Sequence, residues 1–177
     1  MVLIAAWVDG TLAPVDKLDI HRRGLRHPAV SVFVMAGRRV LIQQRALTKY
    51  HTPGLWANTC CTHPHWGEDA GLCAERRLGE ELGISGLTLR SAGRVEYRAA
   101  VPPDLIEHEV VDVFTADATP DLPMHLNPAE VRAVRWVDLD QLVAEIAANP
   151  AHFTPWLAIY LGQHRTQIFG ESQALAG

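Results

Sequence analysis

The chain has 177 residues, 48% apolar and 20% charged, with 16 Lys+Arg against 20 Asp+Glu for a net charge of −4. That length suits one domain, so residues 1–177 are read as a single unit whose folding buries about 70% of the unfolded surface. Wholesale disorder is excluded, and the absence of a basic excess argues against nucleic acid as a partner. Apolar runs such as 29–36 are too short for a membrane span, and residues 1–8 lack the basic flank of a signal peptide. Three cysteines, two of them adjacent (Cys60 and Cys61), point to thiols in a reducing compartment, so the cytoplasm is the expected location.

In chain order, Leu3–Val8 reads as a strand and Asp9–Gly10 as a hairpin turn. Asp16–Arg26 is polar and carries His21. Ala29–Met35 is β-branched and reads as a strand, turned at Gly37–Arg39 to pair with Val40–Gln44. Thr48–Trp66 is loop-like and gathers Pro53–Gly54, Cys60, Cys61 and His63. Asp69–Leu82 reads as a helix with Leu72, Leu78 and Leu82 on one face, stopped by Gly83. Two strands, Leu87–Tyr97 and Glu107–Thr115, flank a Pro102–Pro103 turn. Ala133–Val137 is a further strand. Asp138, with Gln141 three residues on, opens a helix, and Thr154–Pro155 opens the last one, to Arg165. Residues 170–177 read as a frayed tail. The mixture without regular alternation predicts an α+β fold with a mixed or antiparallel sheet.

Period two places Glu107, Glu109, Val111 and Val113 on one strand face, so two carboxylates converge. Close carboxylates repel unless a cation or a proton lies between them. With His21, His27 and His63 they offer a ligand set for a borderline divalent metal. Residues alone leave two readings open: a metal centre, or separate residues on an edge strand. Cys61 is likewise a low-pKa thiolate beside a histidine or a buried, inert thiol. Cys60 and Cys73 have no such neighbours and read as packing. Lys17, Arg45 and Lys49 are ordinary cations taken singly.

Gly67–Ile84 is similar to the Nudix box, with Glu68, Arg76, Leu78, Glu80, Glu81, Gly83 and Ile84 in matching positions. It departs at Thr62, in place of a glycine, and at Arg77, in place of a glutamate. A cation there weakens a hydrolytic metal cluster and adds a phosphate donor. Together with Lys17-x3-His21, Gln44–Lys49, Pro53–Asn58, Cys61–Pro64, Tyr97–Ala99, Glu107–Glu109 and Phe153–Trp156, the chain from Leu3 to Arg165 resembles the type I isopentenyl-diphosphate isomerases, a non-hydrolytic branch of the Nudix superfamily.

The resemblance implies a Nudix-type mixed β-sheet sandwich with flanking helices. It also implies interconversion of isopentenyl and dimethylallyl diphosphate through a carbocation. In this reading Glu109 with Tyr97 delivers a proton to the terminal methylene and Cys61 removes one from C2, with directions reversed in the reverse reaction. Trp156 faces the cation. His21, His27, His63, Glu107 and Glu109 hold Mn²⁺, Zn²⁺ or Mg²⁺. Glu81 and the carbonyl of Cys61 hold a second Mg²⁺ on the substrate diphosphate, which Lys17, Arg45, Lys49 and Arg77 contact. The partner is this small diphosphate, with no nucleic acid or membrane, in a monomer or weak homodimer. The alternatives are a Nudix hydrolase of a nucleotide or isoprenoid diphosphate, and a catalytically inactive zinc module.

Overall fold

The computed structural model describes residues 2–170, so 171–177 of the expected tail lie outside the described residues. The chain opens with a hairpin, β1 (Leu3–Val8) and β2 (Thr11–Asp16), paired antiparallel across Asp9–Gly10. The hairpin turn is as expected; Pro14 is tolerated in β2 because this two-stranded ribbon is all edge. Helix α1 (Lys17–Arg23) follows directly, with Asp16 accepting from the backbone N–H of Leu18 and Asp19. Its buried side chains are Ile20 and His21.

The large sheet is built around β3 (His27–Ala36) and β4 (Arg39–Arg45), joined by a tight turn. Two short strands, β5 (Trp56–Ala57) and β6 (Cys60–Thr62), lie inside the segment expected to be loop. Strand β6 pairs antiparallel with β3, setting Cys61 opposite Ser31. Beyond helix α2 (Ala70–Leu82) come β7 (Arg90–Val101) and β8 (Leu105–Asp117). Strand β8 runs parallel to β3 in a register that sets Glu109 opposite His27. Strand β9 (Val131–Asp138) pairs with β4. The sheet is therefore mixed, as expected, with β3 running between β6 and β8.

Alternation divides the sheet into two apolar layers. On one face Val30, Val32, Val34 and Leu41 pack against Cys73, Ala74, Leu78 and Leu82 of α2. On the other, Ala29, Phe33, Val111 and Val113 pack with Leu139, Leu142, Trp156, Leu157 and Tyr160. These last come from α3 (Leu139–Ala148) and α4 (Pro155–Gln163). A short α5 (Arg165–Phe169) continues the terminal helix after a break at His164. Asp138 caps α3 as expected, whereas the Thr154 side chain makes no capping bond to α4. The helix α2 buries a different stripe from the expected one: Leu78 and Leu82 point inward, but Leu72 is 62% exposed and Glu81 is buried. Helix α2 ends at Gly83, at φ 65, where a Cβ would meet the backbone of His125 at 2.8 Å. No other residue fits there without displacing that segment.

No helix among the described residues is long and apolar enough to cross a membrane.

Candidate active site

The two elements flanking β3 and the helix before it bring five distant residues together. His21, His27, His63, Glu107 and Glu109 each offer a ligand atom, all within 4.8 Å of one another. The backbone fixes two imidazoles. His21 Nδ1 lies 2.5 Å from the Lys17 carbonyl and His27 Nδ1 lies 2.7 Å from the Leu25 carbonyl. A carbonyl only accepts, so both Nδ1 atoms carry the hydrogen, and the neutral form of each ring turns an Nε2 lone pair toward the cluster. His27 Nε2 faces His63 Nε2 at 3.1 Å, and His63 Nε2 faces Glu109 Oε1 at 2.9 Å. His21 Nε2 and Glu107 Oε2 are 3.0 Å apart yet neither has a hydrogen-bond partner among the described residues. Buried acceptors aimed at one point without donors are what a divalent cation satisfies, and three imidazoles with two carboxylates suit one.

Burial and mutual repulsion push the Glu107 carboxyl above the usual carboxylate range. Burial also raises Glu109, but the His27 and His63 imidazoles outweigh it and hold that carboxyl low. Burial, with Lys17, keeps His63 neutral, well below the ordinary histidine value. Tyr97 Oη donates to Glu109 Oε2 at 2.6 Å; burial, with Glu109 beside it, keeps the phenol protonated.

Across β3 from Glu109, Cys61 Sγ lies 2.8 Å from Ser31 Oγ, which lies 2.9 Å from Tyr160 Oη. Burial pushes the Cys61 thiol well above its ordinary value, Glu109 adds to this, and Ser31 opposes it. Of the two readings of Cys61, this direction supports the protonated thiol in the absence of a bound ion. Cys60 and Cys73 are fully buried, as the packing reading expects.

Lys17, Arg45, Lys49 and Arg77 line the same pocket as Cys61, Tyr97, Glu107, Glu109 and Trp156. Burial, with Lys49 next in effect, lowers the Lys17 ammonium. Four cations thus gather around one opening, beside Glu107 and Glu109, in a protein of net charge −4. Trp156 is 2% exposed, and the Arg45 guanidinium lies 5.5 Å from its ring centre. The ring N–H has no hydrogen-bond partner among the described residues.

A family model described as NUDIX domain matches residues 25–157. A Cereibacter sphaeroides protein named isopentenyl-diphosphate Delta-isomerase is 63% identical over 169 residues, 96% of each chain. A Rhodobacter capsulatus protein of that name is 63% identical over 94% of this chain and 95% of its own. The chain belongs to the Nudix family, among the isopentenyl-diphosphate isomerases. A Dinoroseobacter shibae protein of the same name is 60% identical over 95% of this chain and 96% of its own. Among solved structures, a Deinococcus radiodurans protein shares the Nudix fold with a TM-score of 0.73 at 17% identity, over 91% of this chain and 97% of that one. A MutT NUDIX hydrolase from Burkholderia pseudomallei gives 0.60 at 23%, over 78% and 97%.

The altered Nudix helix is spatially consistent with its sequence. Glu68 accepts from Arg76 at 2.7 and 2.8 Å and from the backbone N–H of His65 at 2.8 Å. Arg77, the departure from the Nudix box, bonds Glu81 Oε1 at 2.5 Å as the i, i+4 spacing expects, and Glu80 at 2.9 Å. Gln43 holds the other Glu81 oxygen at 2.9 Å. Glu130, on the turn before β9, bridges Lys49 and Arg77. Sequence reasoning did not find Glu130, Ser31 or His51, because none sits in a spaced motif. His51 lies 3.1 Å from Glu107, and burial, with Arg45, pushes it down to about 2.

Proposed function

We propose that this chain interconverts isopentenyl and dimethylallyl diphosphate. The observation that carries the reading is one pocket holding two acid/base groups on either side of β3, a cationic rim, and a Nudix helix whose box carries Arg77 where a hydrolytic carboxylate belongs. The diphosphate is then held by Lys17, Arg45, Lys49 and Arg77 and is not cleaved.

Cys61 and the Glu109–Tyr97 pair are the groups that exchange protons with the allyl unit. Addition of a proton at the terminal methylene leaves positive charge on the tertiary carbon. Loss of a proton from C2 then places the double bond in the dimethylallyl position. Tyr97 Oη holds a proton 2.6 Å from Glu109 Oε2, so this pair supplies the first. Cys61 receives the second in its thiolate form, which Ser31 Oγ, 2.8 Å away, favours as a hydrogen-bond donor. The Trp156 face stabilises the cation, and the buried walls keep out water that would trap it. His21, His27, His63, Glu107 and Glu109 would hold Mn²⁺, Zn²⁺ or Mg²⁺, and Glu81 with the Cys61 carbonyl would hold Mg²⁺ beside the diphosphate. Such cations supply charge neutralisation at the carboxylate pair and at the phosphates.

Proton NMR of the protein with isopentenyl diphosphate and Mg²⁺ in D₂O tests this. Dimethylallyl signals with deuterium at the exchanging carbons are expected, and Cys61→Ala and Glu109→Gln should each nearly abolish them. Release of phosphate without olefin change would place the protein with the hydrolases instead.

A further inference from the structure

His51 belongs to no part of the ligand set above, yet it is buried against it. It sits on the loop between β4 and β5, with Nε2 3.1 Å from Glu107 Oε1 and Nδ1 3.1 Å from Thr52 Oγ1. Its ring stacks on that of His21 at 5.8 Å and meets Tyr50 edge-on at 4.3 Å.

The contacts bear on its tautomer. Nε2 faces Glu107 Oε1 at 3.1 Å, and toward an ionised carboxylate, which only accepts, it is Nε2 that carries the hydrogen. Nδ1 then accepts from the Thr52 hydroxyl. Both ring nitrogens are thereby used, and neither is left to bind a metal. The other Glu107 oxygen, Oε2, is the one that lies 3.0 Å from His21 Nε2 without a hydrogen-bond partner among the described residues. One oxygen of this carboxylate faces the His51 ring and the other faces the cluster.

The loop holds this arrangement at a local cost. Thr52 has φ 46, a region that β-branched residues rarely occupy. Such conformations persist where the surroundings over-determine them. Here Arg45 Nη2 bonds the His51 carbonyl at 3.2 Å, and the Arg45 backbone N–H bonds the Leu55 carbonyl at 2.9 Å.

We propose that His51 is a positioning residue of the metal centre, donating from Nε2 to Glu107 Oε1 so that Oε2 alone faces the ion. The proposal rests on reading the five-residue cluster as a metal centre, but not on the isomerase reaction. Outer donors of this kind orient ligands, and their loss costs about 10- to 100-fold in affinity.

The test measures Mn²⁺ binding without substrate, by loss of the free-ion EPR signal on titrating chelator-stripped protein. His51→Phe keeps a ring against Tyr50 and His21 but has no donor. His51→Gln loses the ring but carries an amide donor of similar reach. The expected result is Mn²⁺ affinity weakened about 10- to 100-fold in His51→Phe and held within a few-fold of wild type in His51→Gln. A purely packing role predicts the opposite order. Equal affinity in His51→Phe and wild type would overturn the proposal, as would an equal loss in both variants. If His51→Phe does not fold, tight binding by His51→Gln supports the proposal and weak binding overturns it. Wild-type protein that takes up no Mn²⁺ would overturn the metal-centre reading together with this one, while leaving the D₂O experiment to decide the reaction separately.

Discussion

The hydroxyl of Ser31 lies 2.8 Å from the thiol of Cys61, held there by strand register and backed by Tyr160 at 2.9 Å. Ser31, with the Arg45 charge next in effect, opposes the upward push of burial on the thiol. Ser31→Ala should therefore make the thiol harder to ionise and less well aimed, while touching none of the diphosphate cations. A loss of about 1 kcal/mol, or about fivefold in kcat with KM little changed, is expected. Steady-state isomerisation kinetics check this, and an unchanged kcat would mean that Ser31 does not assist Cys61.

Metal should stabilise the fold directly. The ligands come from α1, β3, the segment after β6, and β8, so an ion closes a set that the unfolded chain does not assemble. At about 100 times its dissociation constant a bound ion adds about 2.7 kcal/mol. For a chain of this length that corresponds to a rise of about 5–10 °C in Tm. Thermal unfolding of chelator-stripped protein across a Zn²⁺ or Mn²⁺ series measures it. A Tm independent of metal concentration would count against the cluster as a metal centre.

The Glu68–Arg76 pair makes a signed prediction for acid. Arg76 beside it, chiefly by hydrogen bonding, holds the Glu68 carboxyl down at about 2. The folded value lies below the unfolded one of about 4.3, so the stabilisation is present above that pH and fades as pH falls through the folded value. Glu68→Gln should cost about 1–2 kcal/mol at pH 7, the lower end of charged hydrogen bonding because the pair is partly solvated. The difference from wild type should shrink steadily below about pH 4. Urea unfolding at several pH values compares the two; a gap that widens in acid would contradict the assignment.

What the sequence makes legible follows the range of each interaction. Period two alone aligns Glu107 with Glu109, and the stop at Gly83 is local chemistry; both hold in the fold. The pairing of His27 with Glu109 depends on a parallel register across 82 positions of sequence, which no local pattern encodes, and only the family resemblance placed them together. Helix α2 illustrates a local rule overridden. Apolar spacing turns Leu72 inward, but packing on β3 selects Cys73, Ala74, Leu78 and Leu82 and swings Glu81 toward Gln43. His51 and Glu130 were illegible because each is a single residue on a turn, whose meaning comes from what the loop is folded against.

Arg77 is the residue at which holding a diphosphate can be tested against cutting it. It is tied to Glu80, Glu81 and Glu130, yet it lines the pocket with Lys17, Arg45 and Lys49. A substrate phosphate offers it a second set of acceptors of the same geometry. Arg77→Gln keeps an amide donor but removes the charge, so binding should weaken by about 1.5–3 kcal/mol, or about 10- to 100-fold in KM. The acid/base groups Cys61, Tyr97 and Glu109 lie on β6, β7 and β8, and the Arg77 bonds run to Glu80, Glu81 and Glu130 instead, so kcat should fall much less than kcat/KM. Part of any effect will come through Glu81, which would lose its 2.5 Å partner. Arg77→Lys separates the two: a lysine restores charge at the site but not the forked contacts, and should recover part of the lost binding. A glutamine variant with unchanged KM would remove Arg77 from the diphosphate site.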